Sequence, residues 1–226
     1  MHSLRVPHNY KPLLNLYETQ EGIALIKSTF TDFLSKALNL KRVSAPLFVE
    51  AASGLNDDLS GVERPVSFEV RDSGAQVQVV HSLAKWKRQA LKQYNFPVGE
   101  GLYTDMNAIR RDEQLDNLHS IYVDQWDWEK VISKEERSLD TLMDAMQNIT
   151  TAIICTYDLL KWKYPRLKLR FKHDMTFATT QELEDLWPDL SPREREDRFT
   201  KQHRSVGILQ IGGKLKSRQP HDGRFA

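Results

Sequence analysis

The segments of this chain that have the pattern of β-strands come in neighbouring pairs, and this arrangement limits the fold more than any other feature of the sequence. Residues 66–70 and 77–80 alternate apolar and polar side chains around the turn-forming segment RDSGA (71–75). Residues 101–109 and 120–128 form a second pair around a charged loop. Strands joined by short loops pair antiparallel, whereas parallel strands need a long crossover. The sequence therefore predicts an α+β fold, with a mainly antiparallel sheet flanked by helices.

Helical periodicity and capping residues predict the helices. Thr19 is a candidate N-cap for a helix in which apolar residues recur at spacings near three and four, namely Ile23, Ile26, Phe30, Phe33, Ala37 and Leu38. A second helix is expected over residues 82–93, with Ser82 as its N-cap. The segment SKEE (133–136) has the pattern of a capping box and predicts the start of a long helix that Pro165 ends. Shorter helices are expected over residues 181–186 and from Ser191.

Three further strands are predicted outside the two hairpins. Residues 42–49 are interpreted as one strand. Proline has no N–H to donate to a neighbouring strand, so Pro46 indicates that this strand lies at a sheet edge or an interface. Residues 175–179 are a short candidate. Residues 206–211 are an apolar run that ends at two glycines, so a buried strand is expected there.

Composition excludes several classes of protein. The chain has 226 residues, with 32 Lys and Arg against 31 Asp and Glu, so its charge gives no reason to expect nucleic acid or an anionic membrane as a partner. No apolar run approaches the length of a membrane span. Cys155 is the single cysteine, which excludes an internal disulfide and a cysteine-based metal site. We expect one cytoplasmic domain spanning residues 1–226.

Two segments carry side chains that could support chemistry. The segment HSLAKWKR (81–88) places three cations and a histidine at a strand-to-helix junction, where backbone N–H groups attract anions. Helical spacing puts Lys85, Arg88 and Lys92 on one face, so an ordinary solvated basic surface is the alternative interpretation. In the strand that follows the charged loop, alternation places Gln125 and Asp127 on the same side. This polar pair suits an ammonium group or ribose hydroxyls, and a polar face turned to water is the alternative.

Longer strings of residues identify a family. The chain resembles the ammonia-dependent asparagine synthetases from about Tyr17 to its last residue, with the order and approximate spacing of the matching strings preserved. Those strings are DDLSG (57–61), VHSLAKWKRQ (80–89), GEGLYT (99–104), YVDQWDWE (122–129), IGGKL (211–215) and HD (221–222).

The resemblance implies a particular fold. That family is similar to the catalytic domain of class II aminoacyl-tRNA synthetases, especially those for aspartate and asparagine. By this resemblance the first helix and the Pro46 strand correspond to the first class II motif, which lies at a dimer interface, so a homodimer is expected. The hairpin over residues 101–128 corresponds to the second motif, which holds ATP.

The implied reaction has two steps. The side-chain carboxylate of L-aspartate attacks the α-phosphorus of ATP, which gives β-aspartyl-AMP and pyrophosphate. Ammonia then displaces AMP and gives L-asparagine. The resemblance implies ATP and Mg²⁺ as cofactors, the metal bound on the polyphosphate. The chemistry needs charge neutralisation and placement but no protein nucleophile.

The resemblance also implies roles for residues that would contact aspartate. Lys87, five residues after Ser82, matches the lysine that holds the substrate carboxylate. Ser82 would help to place the substrate. Gln125 and Asp127 would contact aspartate, with Asp127 as the candidate partner of its ammonium group. Asp57 matches a loop aspartate associated with substrate binding and the amide-forming step.

A second group of residues is implied for ATP. Arg110 matches the arginine of the second motif and would bridge the α-phosphate and the attacking carboxylate. Ser120 and Val123 are candidates for lining the adenine pocket. Three histidines could handle protons but are interpreted as structural: His81, His119 and His221.

The family's third class II motif has no counterpart before Ala226. That motif carries a glycine-rich strand and helix with a further ATP-binding arginine, so the catalytic domain is interpreted as incomplete at its carboxyl end. We expect the 226-residue chain alone to have little or no synthetase activity. Two alternatives stay open: a non-catalytic paralogue that binds nucleotide or amino acid, and a synthetase-like enzyme with another substrate. No protein-held metal site is assigned.

Overall fold

The computed structural model describes residues 6–57, 59, 61–168 and 171–222. The described residues form five α-helices: α1 (Leu16–Leu38), α2 (Ala84–Gln93), α3 (Leu139–Lys163), α4 (Thr180–Leu186) and α5 (Pro192–His203). They form eight strands: β1 (Leu40–Arg42), β2 (Phe48–Glu50), β3 (Ser67–Val70), β4 (Ala75–Val79), β5 (Gly101–Ile109), β6 (Tyr122–Lys130), β7 (Thr176–Thr179) and β8 (Val206–Leu209). This mixture of helices and mainly antiparallel strand pairs agrees with the predicted α+β class.

The chain divides into two compact units. The first is built mainly from Leu38–Lys134, and the second combines Leu16–Ala37 with the chain from Glu135 onward. The expectation of one domain across residues 1–226 stays a prediction.

The first unit contains two three-stranded sheets and α2. One sheet has the order β1-β5-β6, in which β5 and β6 pair antiparallel over their full lengths and β1 pairs parallel to β5. The other has the order β2-β4-β3, and both of its pairs are antiparallel. Both predicted hairpins are therefore confirmed. Two clusters of buried residues lie between these elements: Val49, Val80, Leu83, Met106 and Ala108 form one, and Ala90, Leu91 and Leu102 form the other.

The second unit contains α1, α3, α4, α5 and the parallel pair β7-β8. A cluster of Ala178, Leu183 and Phe199 holds α4, α5 and β7 together. Thr179 and Ser191 close capping boxes on α4 and α5, and Pro192 occupies the first turn of α5, so the predicted start of α5 is confirmed. The helix α3 ends at Lys163, two residues before Pro165, as predicted.

Four local predictions are wrong. Helix α1 begins at Leu16, so Thr19 lies inside it and is not an N-cap. Residues 42–49 are not one strand, because β1 and β2 belong to different sheets and the chain between them, which contains Pro46, has no regular structure. The N-cap of α3 is Ser138, whose hydroxyl accepts the Thr141 N–H at 3.2 Å, and not Ser133.

The fourth correction concerns α2. Its N-cap is Leu83, one residue after the predicted Ser82. The Ser82 hydroxyl still accepts a hydrogen bond from the first helical N–H, that of Ala84, at 3.2 Å. The hydroxyl therefore satisfies one of the free N–H groups at the helix start from the position before the cap.

Candidate active site

The β5-β6 hairpin presents alternate residues to the core of the first unit. Thr104 lies opposite Asp127, and Met106 lies opposite Gln125. Thr104 and Met106 are each 1% exposed, so the face they share with Gln125 and Asp127 is turned to the core. The prediction that Gln125 and Asp127 point to the same side is confirmed. The alternative, a polar face turned to water, does not hold for Asp127, whose side chain is 13% exposed.

Helix α2 has one basic face in solvent and one lysine in the core. Lys85, Arg88 and Lys92 are exposed, which agrees with the interpretation of a solvated basic face. Lys87 is on the opposite side and is buried with Ala90. Helical geometry explains this difference, because consecutive residues such as Lys87 and Arg88 project about 100° apart around the helix axis.

Lys87 and Asp127 form a buried ion pair. The Lys87 ammonium donates to the Asp127 carboxylate and to the Trp128 carbonyl oxygen, the latter at 2.9 Å. The Glu129 carboxylate lies 3.6 Å from the same ammonium. The side chain of Lys87 is 6% exposed. A buried ammonium needs a counterion and hydrogen-bond acceptors, and residues on β6 supply both.

The loop before β3 contacts the junction between β4 and α2. Asn56 is 6% exposed, and its amide oxygen accepts the backbone N–H of His81 at 2.7 Å. His81 itself is buried, and Ser82 follows it directly. Asp57 is half-buried, and no hydrogen bond or ion pair joins its carboxylate to another described residue. Asp58 and Ser60, which belong to the matching string DDLSG, lie outside the described residues.

Arg110 lies where β5 gives way to the charged loop. Its backbone N–H donates to the Ile121 carbonyl at 2.7 Å, which continues the hairpin ladder by one step. The side chain is half-buried, and among the described residues no carboxylate or carbonyl accepts from its guanidinium. An arginine held by its backbone and not by its side chain can direct its five N–H donors to a ligand.

The loop that follows Arg110 is held by two carboxylates. Asp112 accepts the Arg64 backbone N–H at 2.9 Å and also binds the Arg64 guanidinium. These contacts lower the pKa of Asp112 to about 2, and the hydrogen bond from the Arg64 side chain has the largest effect. Asp116 accepts the backbone N–H groups of Leu118 and His119 at 2.7 and 2.8 Å, and the Leu118 bond contributes most to lowering the pKa of Asp116 to about 2.

The two proposed adenine-pocket residues differ in exposure. Ser120 is exposed. Val123 is half-buried and packs against the core cluster that contains Met106. Among the residues that the structure describes, no three His, Cys, Asp or Glu side chains are grouped to hold a metal ion.

Two of the three candidate histidines lie beside carboxylates, and the third is buried. His119 Nδ1 lies 2.8 Å from Asp116, and His221 Nε2 lies 2.9 Å from Glu196 on α5. His81 is 2% exposed and lies at the β4-α2 junction. Sequence reasoning missed Asn56, because a single asparagine in a polar loop has the same pattern as an ordinary turn residue.

Contacts among the described residues bring some of the predicted site residues of the first unit together in two groups, and Arg110 belongs to neither. Lys87 and Asp127 touch directly. Asp57 and Ser82 are linked through Asn56 and His81. Arg110 stands at the hairpin end, where no contact among the described residues joins it to Lys87.

Comparison with known proteins decides the family. The family model described as aspartate-ammonia ligase matches residues 17–226. The chain belongs to the aspartate–ammonia ligase family. Among its curated relatives, the aspartate–ammonia ligase of Clostridium perfringens (strain SM101 / Type A) is 56% identical over 225 residues, which cover 99% of this chain and 67% of the relative. The family assignment made from the sequence strings is confirmed.

Other members of the family are similar to the same extent. The aspartate–ammonia ligase of Lactobacillus johnsonii is 54% identical, over 98% of this chain and 67% of the relative. That of Lactiplantibacillus plantarum is 54% identical, over 98% of this chain and 69% of the relative. The chain therefore spans about two thirds of the length of these family members. No described helix is both long and apolar enough to cross a membrane.

Proposed function

We propose that this member of the aspartate–ammonia ligase family joins ammonia to L-aspartate at the expense of ATP and forms L-asparagine, AMP and pyrophosphate. The observation that carries the proposal is the family match over residues 17–226, which includes every residue of the candidate site. The site supports it because a buried lysine–aspartate pair and a half-buried arginine without a side-chain partner among the described residues suit a substrate with one ammonium and two carboxylates.

In the first step, a side-chain carboxylate oxygen of aspartate forms a bond to the α-phosphorus of ATP, and the bond to pyrophosphate breaks. We assign Arg110 to this step, where its guanidinium would contact both the α-phosphate and the attacking carboxylate. Arginine suits this place because its planar fork can hold two oxygens at once while it neutralises their charge. Ser120 and Val123 are assigned to the adenine end of ATP.

Aspartate is held by residues of α2 and β6 in this proposal. Lys87 would contact a substrate carboxylate, and Asp127 would accept from the substrate ammonium. Gln125 projects from the same face of β6 two residues away, and we assign it to the substrate as a neutral donor and acceptor. Ser82 at the start of α2 completes this set.

In the second step, the nitrogen of ammonia attacks the β-carbonyl carbon of aspartyl-AMP, the bond to the phosphate oxygen breaks, and AMP leaves. The attacking nitrogen must lose a proton in the process. Asp57 is assigned both to aspartate binding and to this step, because its carboxylate is half-buried and is not held by any other described residue. A carboxylate in that state can accept a hydrogen bond from ammonia and orient it.

Mg²⁺ is proposed to enter the site on the polyphosphate of ATP. The described residues provide no grouped set of carboxylates or imidazoles for a metal, and the steps above use none. The catalytic fold is proposed to be that of the class II aminoacyl-tRNA synthetases, with no nucleic acid as substrate and a cytoplasmic location. Support for a homodimer comes from exposed apolar side chains on the proposed first motif, among them Ile23 on α1 and Phe48 on the edge strand β2.

An isotope experiment tests this reaction directly. The full chain is incubated with ATP, ammonium chloride and L-aspartate that carries ¹⁸O in its side-chain carboxylate. Even at the low turnover expected for these 226 residues alone, asparagine and AMP should form in equal amounts. One ¹⁸O atom should be transferred to AMP, because the carboxylate oxygen stays on phosphorus when nitrogen displaces it. Label in inorganic phosphate together with ADP would contradict adenylation. Nucleotide binding without any asparagine would identify a non-catalytic paralogue.

A matched pair of arginine variants tests the role of Arg110. Arg110→Lys keeps the charge but loses the fork, and we expect asparagine formation to fall by about 100-fold or more, as when one transition-state donor is removed. Arg111→Lys is the control, because Arg111 is exposed and its guanidinium donates to the Pro65 carbonyl at 3.5 Å, a contact that a lysine can replace. Equal rates for the two variants would remove Arg110 from the proposed step.

A further inference from the structure

Asn56 is a buried polar side chain in a loop that otherwise has little regular structure. Its side-chain amide donates to the Gln78 side-chain oxygen at 3.1 Å and to the Val79 carbonyl at 3.4 Å. Its amide oxygen accepts the His81 backbone N–H at 2.7 Å. The Lys85 ammonium on α2 donates to its backbone carbonyl at 3.4 Å. One residue of the loop is therefore bonded to the end of β4, to the β4-α2 junction and to α2 itself.

These contacts meet a specific need of the chain. β4 ends at Val79 and α2 begins at Ala84, so the N–H of His81 has neither a strand nor a helix partner. A buried N–H without an acceptor costs about 1–3 kcal/mol, so a side chain must supply one. Only an amide offers two donors and an acceptor on a short side chain, because a carboxylate cannot donate and a hydroxyl has one donor.

The two segments that Asn56 joins each carry a residue of the proposed mechanism. Asp57 follows Asn56 directly, so their Cα atoms are about 3.8 Å apart. Ser82 follows His81 in the same way. We propose that Asn56 is a positioning residue for aspartate binding, one that fixes the carboxylate of Asp57 relative to Ser82 and the start of α2. This inference depends on the proposed function, because Asp57 and Ser82 take their roles from it.

Positioning matters for this chemistry because the reaction uses no protein nucleophile. A misplacement of about 1 Å can reduce the rate by about 100-fold when a reaction depends on placing its groups. Leu55 packs against the core cluster on the other side of Asn56, so the loop has one apolar and one polar anchor immediately before Asp57. Loss of the Asn56 side-chain donors would weaken the polar anchor and leave the position of Asp57 less closely fixed.

The test compares the same substitution at two asparagines of the full chain. Asn56→Asp keeps the size and the acceptor for His81 but loses both donors. Asn39→Asp is the control, since Asn39 also donates from its side chain to a backbone carbonyl, that of Gly99 at 3.0 Å. Asn39 lies near the first residue of β5, whereas Arg110 follows the last, and Asn39 has no role in the proposed site. Aspartate tolerates the positive φ of 57° at residue 39 as asparagine does.

Steady-state kinetics of asparagine formation supply the readout, at a temperature where unfolding curves show each variant fully folded. We expect Asn56→Asp to raise the KM for aspartate by about 10-fold or more, while the KM for ATP stays within about two-fold, because the ATP residues lie on the hairpin and not on this loop. Asn39→Asp should leave both KM values within about two-fold of the wild type. A purely structural role would lower the active fraction, and hence kcat, without this selective change in KM.

A second variant covers the case in which Asn56→Asp does not fold. Asn56→Ser keeps one donor and one acceptor, and we expect an intermediate rise in the KM for aspartate. An unchanged KM for aspartate in the folded Asn56 variants, or an equal rise for aspartate and ATP, would overturn the positioning role and leave the proposed function intact. A wild-type chain that makes no asparagine would instead overturn the proposed function, and this inference would fall with it.

Discussion

The buried pair of Lys87 and Asp127 allows a stability prediction that does not depend on any assigned role. Lys87→Met keeps the apolar stem and removes the ammonium, so the Asp127 carboxylate, 13% exposed, loses its ion-pair partner and the Trp128 carbonyl loses a donor at 2.9 Å. Removal of one member of a buried pair costs about 3–5 kcal/mol. Because Asp127 retains some contact with water, we expect a value of about 3 kcal/mol, at the lower end of that range.

The assay is urea-induced unfolding at neutral pH, followed by tryptophan fluorescence. Three of the five tryptophans, Trp86, Trp126 and Trp128, lie in the first unit and report on it. Hydrogen exchange of the β6 amides then locates the loss of stability. The change is the shift in midpoint multiplied by the slope of the transition.

Two further variants make the result specific. Arg88→Met is the control, because Arg88 is 74% exposed and lies 3.6 Å from Glu129, and we expect it to cost no more than about 1 kcal/mol. The double variant Lys87→Met with Asp127→Leu removes both charges and should recover most of the loss, to within about 1 kcal/mol of the wild type. A loss below about 1 kcal/mol for Lys87→Met, or a double variant no more stable than the single one, would refute this reasoning.

Two further predictions concern the first unit. The folded-state pKa of Asp112 lies at about 2 against an ordinary 3.8, so its pairing with Arg64 stabilises the fold above about pH 4 and loses that effect as pH falls toward 2. Unfolding curves of Asp112→Asn should therefore differ most from wild type near neutral pH and converge in acid, and a constant difference across that range would contradict the linkage. Gly101→Ala would bring a Cβ to 2.8 Å from the Lys130 Cα and closer still to the Glu129 carbonyl oxygen, so we expect a loss of about 2–3 kcal/mol in urea unfolding. The control is Gly213→Ala, whose nearest neighbour would lie at 3.5 Å, and an equal cost at both glycines would contradict the packing argument.

Local sequence patterns predicted the elements whose stability is set by their own residues. The strand β5 has the predicted bounds, and β6 lies within two residues of them, because alternation and a polar loop together fix a hairpin. Helix α5 begins where Ser191, Pro192 and Glu194 combine a cap, a preorganised first residue and a capping box. Each of these signals is short-range, so a single sequence contains all of it.

Predictions failed where two patterns competed or where tertiary contacts decided the outcome. The helix periodicity of α1 fits several starts, and the chain is helical three residues before Thr19. The run from Arg42 to Val49 has strand composition throughout, but its two ends pair with different sheets, through β5 and β4 respectively. The parallel pairing of β1 with β5 and of β7 with β8 also follows from long-range contacts that periodicity cannot register.

The candidate site shows the same division. Alternation along β6 predicted that Gln125 and Asp127 share a face, but it could not say that the face is turned to the core. Lysine is seldom fully buried, and no local pattern predicted the burial of Lys87, which the carboxylate of Asp127 on the packed strand β6 makes tolerable. Asn56 carries no sequence signal at all, since its importance depends on the N–H of a residue 25 positions later.

The pairing of Lys87 with Asp127 changes how the proposed substrate contacts must work. The family resemblance assigns Lys87 to a carboxylate of aspartate and Asp127 to its ammonium group. Taken separately, these two roles would leave both side chains without a partner until aspartate binds. In the structure each residue already satisfies the other, and both are largely removed from water. If both contact aspartate as proposed, the substrate must share or replace an existing ion pair. The binding free energy from these two residues is then the energy of their ion pairs with aspartate minus that of the Lys87–Asp127 pair. This difference is smaller than the sum of two ion pairs formed by unpaired side chains. Selectivity follows from the same arrangement, because a ligand with only one of the two charges would leave a buried charge without its partner.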